Sequence, residues 1–165
     1  MPKKSDQEKL DLFIKWHDTW DTTTVTARHK AQRDHDYYHG LQWTDEERVE
    51  LERRRQPIIV KNRIFKKINF LLGDEIANRT DPKALPRTSI HSTDAIAVTD
   101  ALRYISDLER MDQVTSKVWY NVLIQGYGGA VVEHDVVQRK GEFPEVAVKL
   151  RHVKWDRLWY DVHGR

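Results

Sequence analysis

Apolar residues recur at helical spacing as far as Leu123 and at alternating spacing from Ala130 onward, and the change falls on Gly126-Tyr127-Gly128-Gly129. A helix repeats every 3.6 residues and a strand every two, so the two patterns belong to different elements. The glycines divide a helical part from a β part. Helices first and antiparallel strands last make an α+β chain: several helices followed by a small antiparallel β segment.

Before the glycines, Ser5 and Glu8 form a capping box, and Leu10, Phe13, Ile14 and His17 follow with helical spacing. Thr22, Thr23 and Thr24 are β-branched and predict a break near Trp20, with a second helix from Val25 to Tyr38 ended by Gly40. The stripe of that second helix, Ala27, Ala31 and Tyr38, is weak. Tyr38 and Trp43 flank Gly40, and a turn there brings both rings against one helix layer, with Trp43 expected as a buried aromatic. Thr44 and Glu47 make another capping box, opening a short charged helix to about Arg55. Pro57 then imposes an extended entry. Asn62 caps the most regular helix, where Ile64, Ile68, Leu71, Leu72 and Ile76 share a stripe widened by Phe65. Gly73 within it predicts a close packing partner or a bend. Asp81-Pro82 and Leu85-Pro86 mark an extended connection. Ala95, Val98, Leu102 and Ile105 form the next stripe, and Asp112 reads as the cap of a helix carrying Val114, Val118, Trp119, Val122 and Leu123. After the glycines, Ala130–Val137 and Val146–Leu150 read as a hairpin around Lys140–Pro144, with a further short strand expected over 158–162.

The apolar content is uneven. Residues 1–55 hold 16 apolar side chains and residues 56–165 hold 48, about 29% against 44%. This places a boundary at Gln56-Pro57, between a helical N-terminal arm or layer (1–55) and an α+β core (56–165). Over the 165 residues, 33% are charged and 39% hydrophobic, against roughly 25% and 45–50% in an ordinary globular domain. No run approaches the roughly 20 apolar residues that a spanning helix needs, and no apolar segment follows the N-terminal lysines as a secretory signal would require. Six Trp, six Tyr and four Phe are too many for disorder. The absence of Cys excludes disulfides, thiolate metal sites and cysteine nucleophiles. What remains is a soluble, intracellular-type protein whose core looks thin for an isolated monomer.

No catalytic pattern stands out, and neither a cofactor nor a metal is expected. His29, His35 and His39 lie on one helix, but HExxH is absent and histidines on a polar helix are usually solvated. Gly126–Gly129 follows a helix and opens a strand, the reverse of a phosphate-binding loop, so a cap and tight turn explain it. No GxSxG surrounds a serine. Asp45, Glu46 and Glu47 suit a helix N-terminus, and Asp156 and Asp161 suit turns. The basic residues are more informative. Arg53, Arg54 and Arg55 are consecutive, and Lys61, Arg63, Lys66 and Lys67 follow; Arg28 to Lys67 holds eleven basic residues against seven acidic. Such a segment suits phosphate contact in a helical nucleic-acid-binding module. It equally suits pairing with carboxylates of a neighbouring subunit, which would also account for the thin core.

Tyr37-Tyr38-His39-Gly40-Leu41-Gln42-Trp43 resembles the opening signature of portal proteins of tailed double-stranded DNA bacteriophages, particularly the short-tailed type. The order continues through Arg54, Gln56-Pro57, Asn62-Arg63-Ile64, Leu72-Gly73 and Asn78-Arg79 to a helix pair over 93–125 and the Gly126-Tyr127-Gly128 turn. Val153 to Asp161 is similar to the family's strand before an aspartate-led turn. The resemblance covers about residues 37–165, with residues 1–36 matching as a helical lead-in. It implies a structural, non-enzymatic subunit of a dodecameric ring at one capsid vertex, a virion component assembled in the host cytoplasm. Capsid protein, terminase and tail or head-completion proteins are its implied partners, with double-stranded DNA passing through the assembled channel and no membrane involved. The chain would be the wing-like part of a longer subunit, continuing past Arg165. The resemblance implies packing roles for Tyr37, Tyr38, Gly40, Gln42, Trp43, Pro57 and Asn62. Arg53, Arg54, Arg55, Lys61, Arg63, Lys66 and Lys67 stand as candidates for a subunit interface or a DNA-facing surface.

Overall fold

The computed structural model describes residues 5–137 and 145–160. Five helices lead into one hairpin: α1 (Asp6–Tyr38), α2 (Asp45–Arg53), α3 (Arg63–Ala77), α4 (Ser92–Leu108), α5 (Met111–Gln125), β1 (Gly129–Val137) and β2 (Glu145–Val153). Short 3-10 turns precede α4 (Ser89–His91) and follow β2 (Trp155–Arg157). The α+β class expected from the period change is the class observed.

α1 starts at the expected capping box: Ser5 Oγ accepts from the Glu8 amide at 3.2 Å and Glu8 Oε2 accepts from the Ser5 amide at 2.8 Å. The expected break at Thr22–Thr24 does not occur, and one helix of 33 residues runs through it. Each threonine costs a helix only some tenths of a kcal/mol. Their hydroxyls also bond back to the carbonyls one turn earlier, Thr22 to Asp18, Thr23 to Thr19 and Thr24 to Trp20. Burial does the rest. Thr24, Ala31 and Tyr38 are the buried residues of α1, seven apart on one face. Two small side chains among the three let α1 approach α5, against which it packs.

α5 is the hub, touching α1, α3, α4 and both strands. It begins one residue before the expected cap: Arg110, in the left-handed region at φ 50°, is its N-cap, and Asp112 sits in its first turn. Reversing the chain between α4 and α5 in so few residues requires that backbone conformation, which places Asp112 inside the helix. At its other end Gly128 passes so close that a Cβ would lie 2.7 Å from the Val118 carbonyl oxygen, so only glycine fits.

β1 and β2 pair antiparallel from Gly129 opposite Val153 to Val137 opposite Glu145, with Glu133–Arg151 and Asp135–Lys149 ion pairs across the strands. The hairpin was expected; its turn, Lys140–Pro144, lies outside the described residues. Residues 158–160 form no strand, and the remainder of the expected third strand also lies outside. Instead the segment after β2 clasps α1. Trp159 Nε1 donates to Asp21 at 3.1 Å, the Arg28 guanidinium stands 4.8 Å over the Trp159 ring, and Arg28 also pairs with Asp21 at 2.8 Å.

Candidate subunit interface

The junction of α1 and α3 is built from the aromatic signature. Gly40, at φ 84°, ends α1 in a reversed turn in which the Leu41 amide donates to the Asp36 carbonyl at 2.8 Å. The turn leaves Tyr38 pointing inward, 6% exposed, with its hydroxyl donating to Asn69 Oδ1 at 2.9 Å. Its ring lies 5.3 Å from Phe65 and 5.4 Å edge-on from Tyr120. Asn62 works on both elements. Its Oδ1 accepts from the Phe65 amide as the N-cap of α3, and its Nδ2 donates to the Tyr38 carbonyl at 2.7 Å. Tyr37 lies outside this cluster beneath the Arg33 guanidinium, and Gln42 is half-buried in the following loop. Trp43 departs from expectation. It is 38% exposed, held by one bond from Nε1 to the Ile59 carbonyl at 3.2 Å, because the irregular segment after Pro57 rather than a helix lies beside it.

The basic residues separate into two groups. Glu50 takes Arg53 through two bonds of 2.8 Å and Arg54 through one of 2.6 Å, and these bonds hold its carboxyl below the usual range. Arg53 and Arg54 therefore share the single negative charge of Glu50 at the end of α2. Arg55 closes that helix at φ 55°, with the Gln56 amide donating to the Leu51 carbonyl. Lys61, Arg63, Lys66 and Lys67 are exposed at the start of α3 and have no ion pair among the described residues.

Sequence reasoning missed an acidic groove. It lies between the end of α3, the connection 78–82, the end of α4 and the start of α5, with a volume of about 740 Å³. Leu71, Pro82, Met111 and Trp119 give it an apolar floor, and Asp74, Asp81, Asp107 and Asp112 rim it. Arg79 braces its wall, bonding Glu75 at 2.8 Å, Asp112 at 3.5 Å and the Ser116 hydroxyl. The Arg79 bond is the main reason that the Glu75 carboxyl sits below its ordinary range. The groove's residues span 71–119, so no local motif announces it.

Apolar surface is the dominant feature. Among the described residues Ala31, Tyr38 and Ile124 are the buried apolar side chains, whereas Phe13, Phe70, Ile76, Ile96, Tyr104 and Val132 are each more than half exposed. Gly73, expected to meet a neighbour or a bend, lies within a continuous α3 with nothing within 4 Å of the Cβ it lacks. The α4 stripe is likewise uncovered: Val98 and Leu102 are exposed, and its buried residue is Thr99, which bonds the Ala84 amide and the Ala95 carbonyl. The His35 and His39 rings lie 4.5 Å apart and tilted, and no cluster of three His, Asp or Glu suited to a metal occurs among the described residues. No described helix is long and apolar enough to cross a membrane.

A small core under large uncovered apolar faces marks a surface suited to contact with other molecules. A family model described as phage P22-like portal protein matches residues 14–165, and the chain belongs to that family. The match reaches well into α1, beyond the segment in which the signature motifs lie. Comparison with curated proteins gives no significant match.

Proposed function

We propose that this chain is the wing-like part of a portal subunit that closes into a dodecameric ring at one vertex of a phage head. Double-stranded DNA passes through the channel of that ring during packaging and ejection. Capsid protein, terminase and tail or head-completion proteins dock on it in the host cytoplasm and the virion. Residues 1–55 act as an arm whose first half reaches a neighbour, and residues 56–165 belong to the body of the wing. The chain catalyses no reaction and needs no cofactor.

The uncovered apolar surface carries this reading within the family. Phe13 and Leu10 near the start of α1 are 59% and 51% exposed, so the arm's leading half finds its partner outside its own fold. Imaging the subunit under an electron microscope tests the proposal. Closed rings are expected, and a protein that stays monomeric in every preparation would refute it. The rival reading, nucleic-acid binding through Arg53–Lys67, has its positive charge reduced by Glu50, which pairs with both Arg53 and Arg54. Duplex affinity that falls steeply with added salt would favour that rival; the portal reading expects little affinity at any salt concentration.

A further inference from the structure

Between Glu52 and Asp74 the sequence holds no acidic residue, and within that stretch Ile58, Ile59 and Val60 stand between Arg55 and Lys61. β-Branched apolar residues in succession normally pack within a sheet. Here they belong to no helix or strand, and all three are exposed, Ile59 at 69%. Neither flanking cation has an ion pair among the described residues.

The segment is held at the start of α3. Trp43 Nε1 donates to the Ile59 carbonyl at 3.2 Å, Val60 lies beside Gly40, and Asn62 ties the first turn of α3 to the Tyr38 carbonyl. The bond at Ile59 uses its backbone, so its side chain stays in solvent.

The acidic groove lies at the other end of the same helix. From Asn62 to Asp74 is about 18 Å along the axis, and no residue before Leu71 lines the groove. Segment and groove therefore share no residue, and the ties to Trp43, Gly40 and Tyr38 hold the segment away from the groove of its own chain. Five carboxylates line the groove against one cation, Arg79, which is already bonded to Glu75 and Asp112. The Asp74 carboxylate accepts from Asn78 Nδ2 at 2.9 Å, and neither it nor Asp107 has a cationic partner among the described residues. The floor of Leu71, Pro82, Met111 and Trp119 is apolar, and the volume of about 740 Å³ falls within the roughly 300–1,000 Å³ of clefts that hold a ligand.

We infer that the Arg55–Lys61 segment of one copy lies in this groove of the next, with Ile59 on the apolar floor and Arg55 and Lys61 toward Asp74 and Asp107. The inference rests on the ring reading above and names the surfaces of its contact. A second copy is the occupant because the chain itself carries, at the opposite end of α3, an exposed segment of matching charge and apolarity. The two patches differ, so the contact is heterologous and repeats head to tail. Opposite charges set its register.

Charge reversal in the full chain tests it. Arg55→Glu with Lys61→Glu, and Asp74→Lys with Asp107→Lys, are compared with wild type by sedimentation equilibrium, with thermal melts as a check on folding. Wild type should self-associate, and each variant alone should associate at least about tenfold more weakly. An equimolar mixture should recover association, because an acidic segment then meets a basic groove. Ile59→Ser, at an exposed side chain, should weaken association without lowering the melting temperature. Folded variants that associate like wild type, a mixture no better than its components, or a wild type monomeric to about 1 mM would each overturn the contact. Weakening by the groove variant alone would give the groove another occupant and overturn this pairing. Normal rings from the Arg55→Glu, Lys61→Glu subunit would overturn these surfaces and leave the portal reading intact, whereas a wild type that associates through them without ever closing into rings would overturn the ring reading.

Discussion

Asn62 shows how one side chain ties two helices: it caps α3 and holds the last carbonyl of α1. Asn62→Asp keeps the cap but loses the donor to Tyr38, and Asn62→Ala loses both. The alanine variant should cost about 1–2 kcal/mol in urea denaturation and the aspartate variant less. Tyr38 and Trp43 should separate sharply. Tyr38→Ala removes a buried ring and should cost about 3–5 kcal/mol, whereas Trp43→Ala should cost about 1–2 kcal/mol. Equal losses would mean that Trp43 is covered as fully as Tyr38. His152 adds a pH dependence. Burial lowers its pKa below 6.5, with Lys117 and Lys154 contributing, and its Nε2 lies 2.7 Å from Asn121 Nδ2. The unfolded chain therefore binds this proton more readily, so the stabilisation present above pH 6.5 is lost as pH falls through the lowered folded value. Urea midpoints measured from pH 8 to 5 should fall by more in wild type than in His152→Gln.

Elements were legible where their pattern was local. The caps of α1, α2 and α3, the stripe of α3, and the hairpin after Gly126–Gly129 all follow from neighbours a few residues apart. The continuity of α1 was not legible, because Thr24 is decided by burial against a helix about a hundred residues later. The acidic groove was illegible for the same reason. Gly73 misled in a different way: its rule concerns a neighbour, and none lies within 4 Å among the described residues. Gly73→Ala should therefore raise the stability of the isolated chain by about 1 kcal/mol in thermal unfolding. Thr22→Ala and Thr23→Ala should each raise helix stability by some tenths of a kcal/mol, while Thr24→Ala should lower stability by losing buried contacts. A stabilising Thr24→Ala would argue against the α1–α5 packing described here.

At the scale of the whole molecule, α5 gathers α1, α3, α4 and the hairpin while much of the apolar surface of α3 and α4 remains open. The hairpin too is a two-stranded sheet, marginal by itself, leaning on α5. A monomer so built leaves much of its hydrophobic surface in water, and closure into an assembly would cover it. In the proposed ring, these surfaces would meet neighbouring subunits. The central claim is ring formation, and particle symmetry measured by electron microscopy of the assembled subunit tests it most directly. The account predicts closed, twelvefold rings; monomers alone, or open filaments from the same preparation, would contradict it.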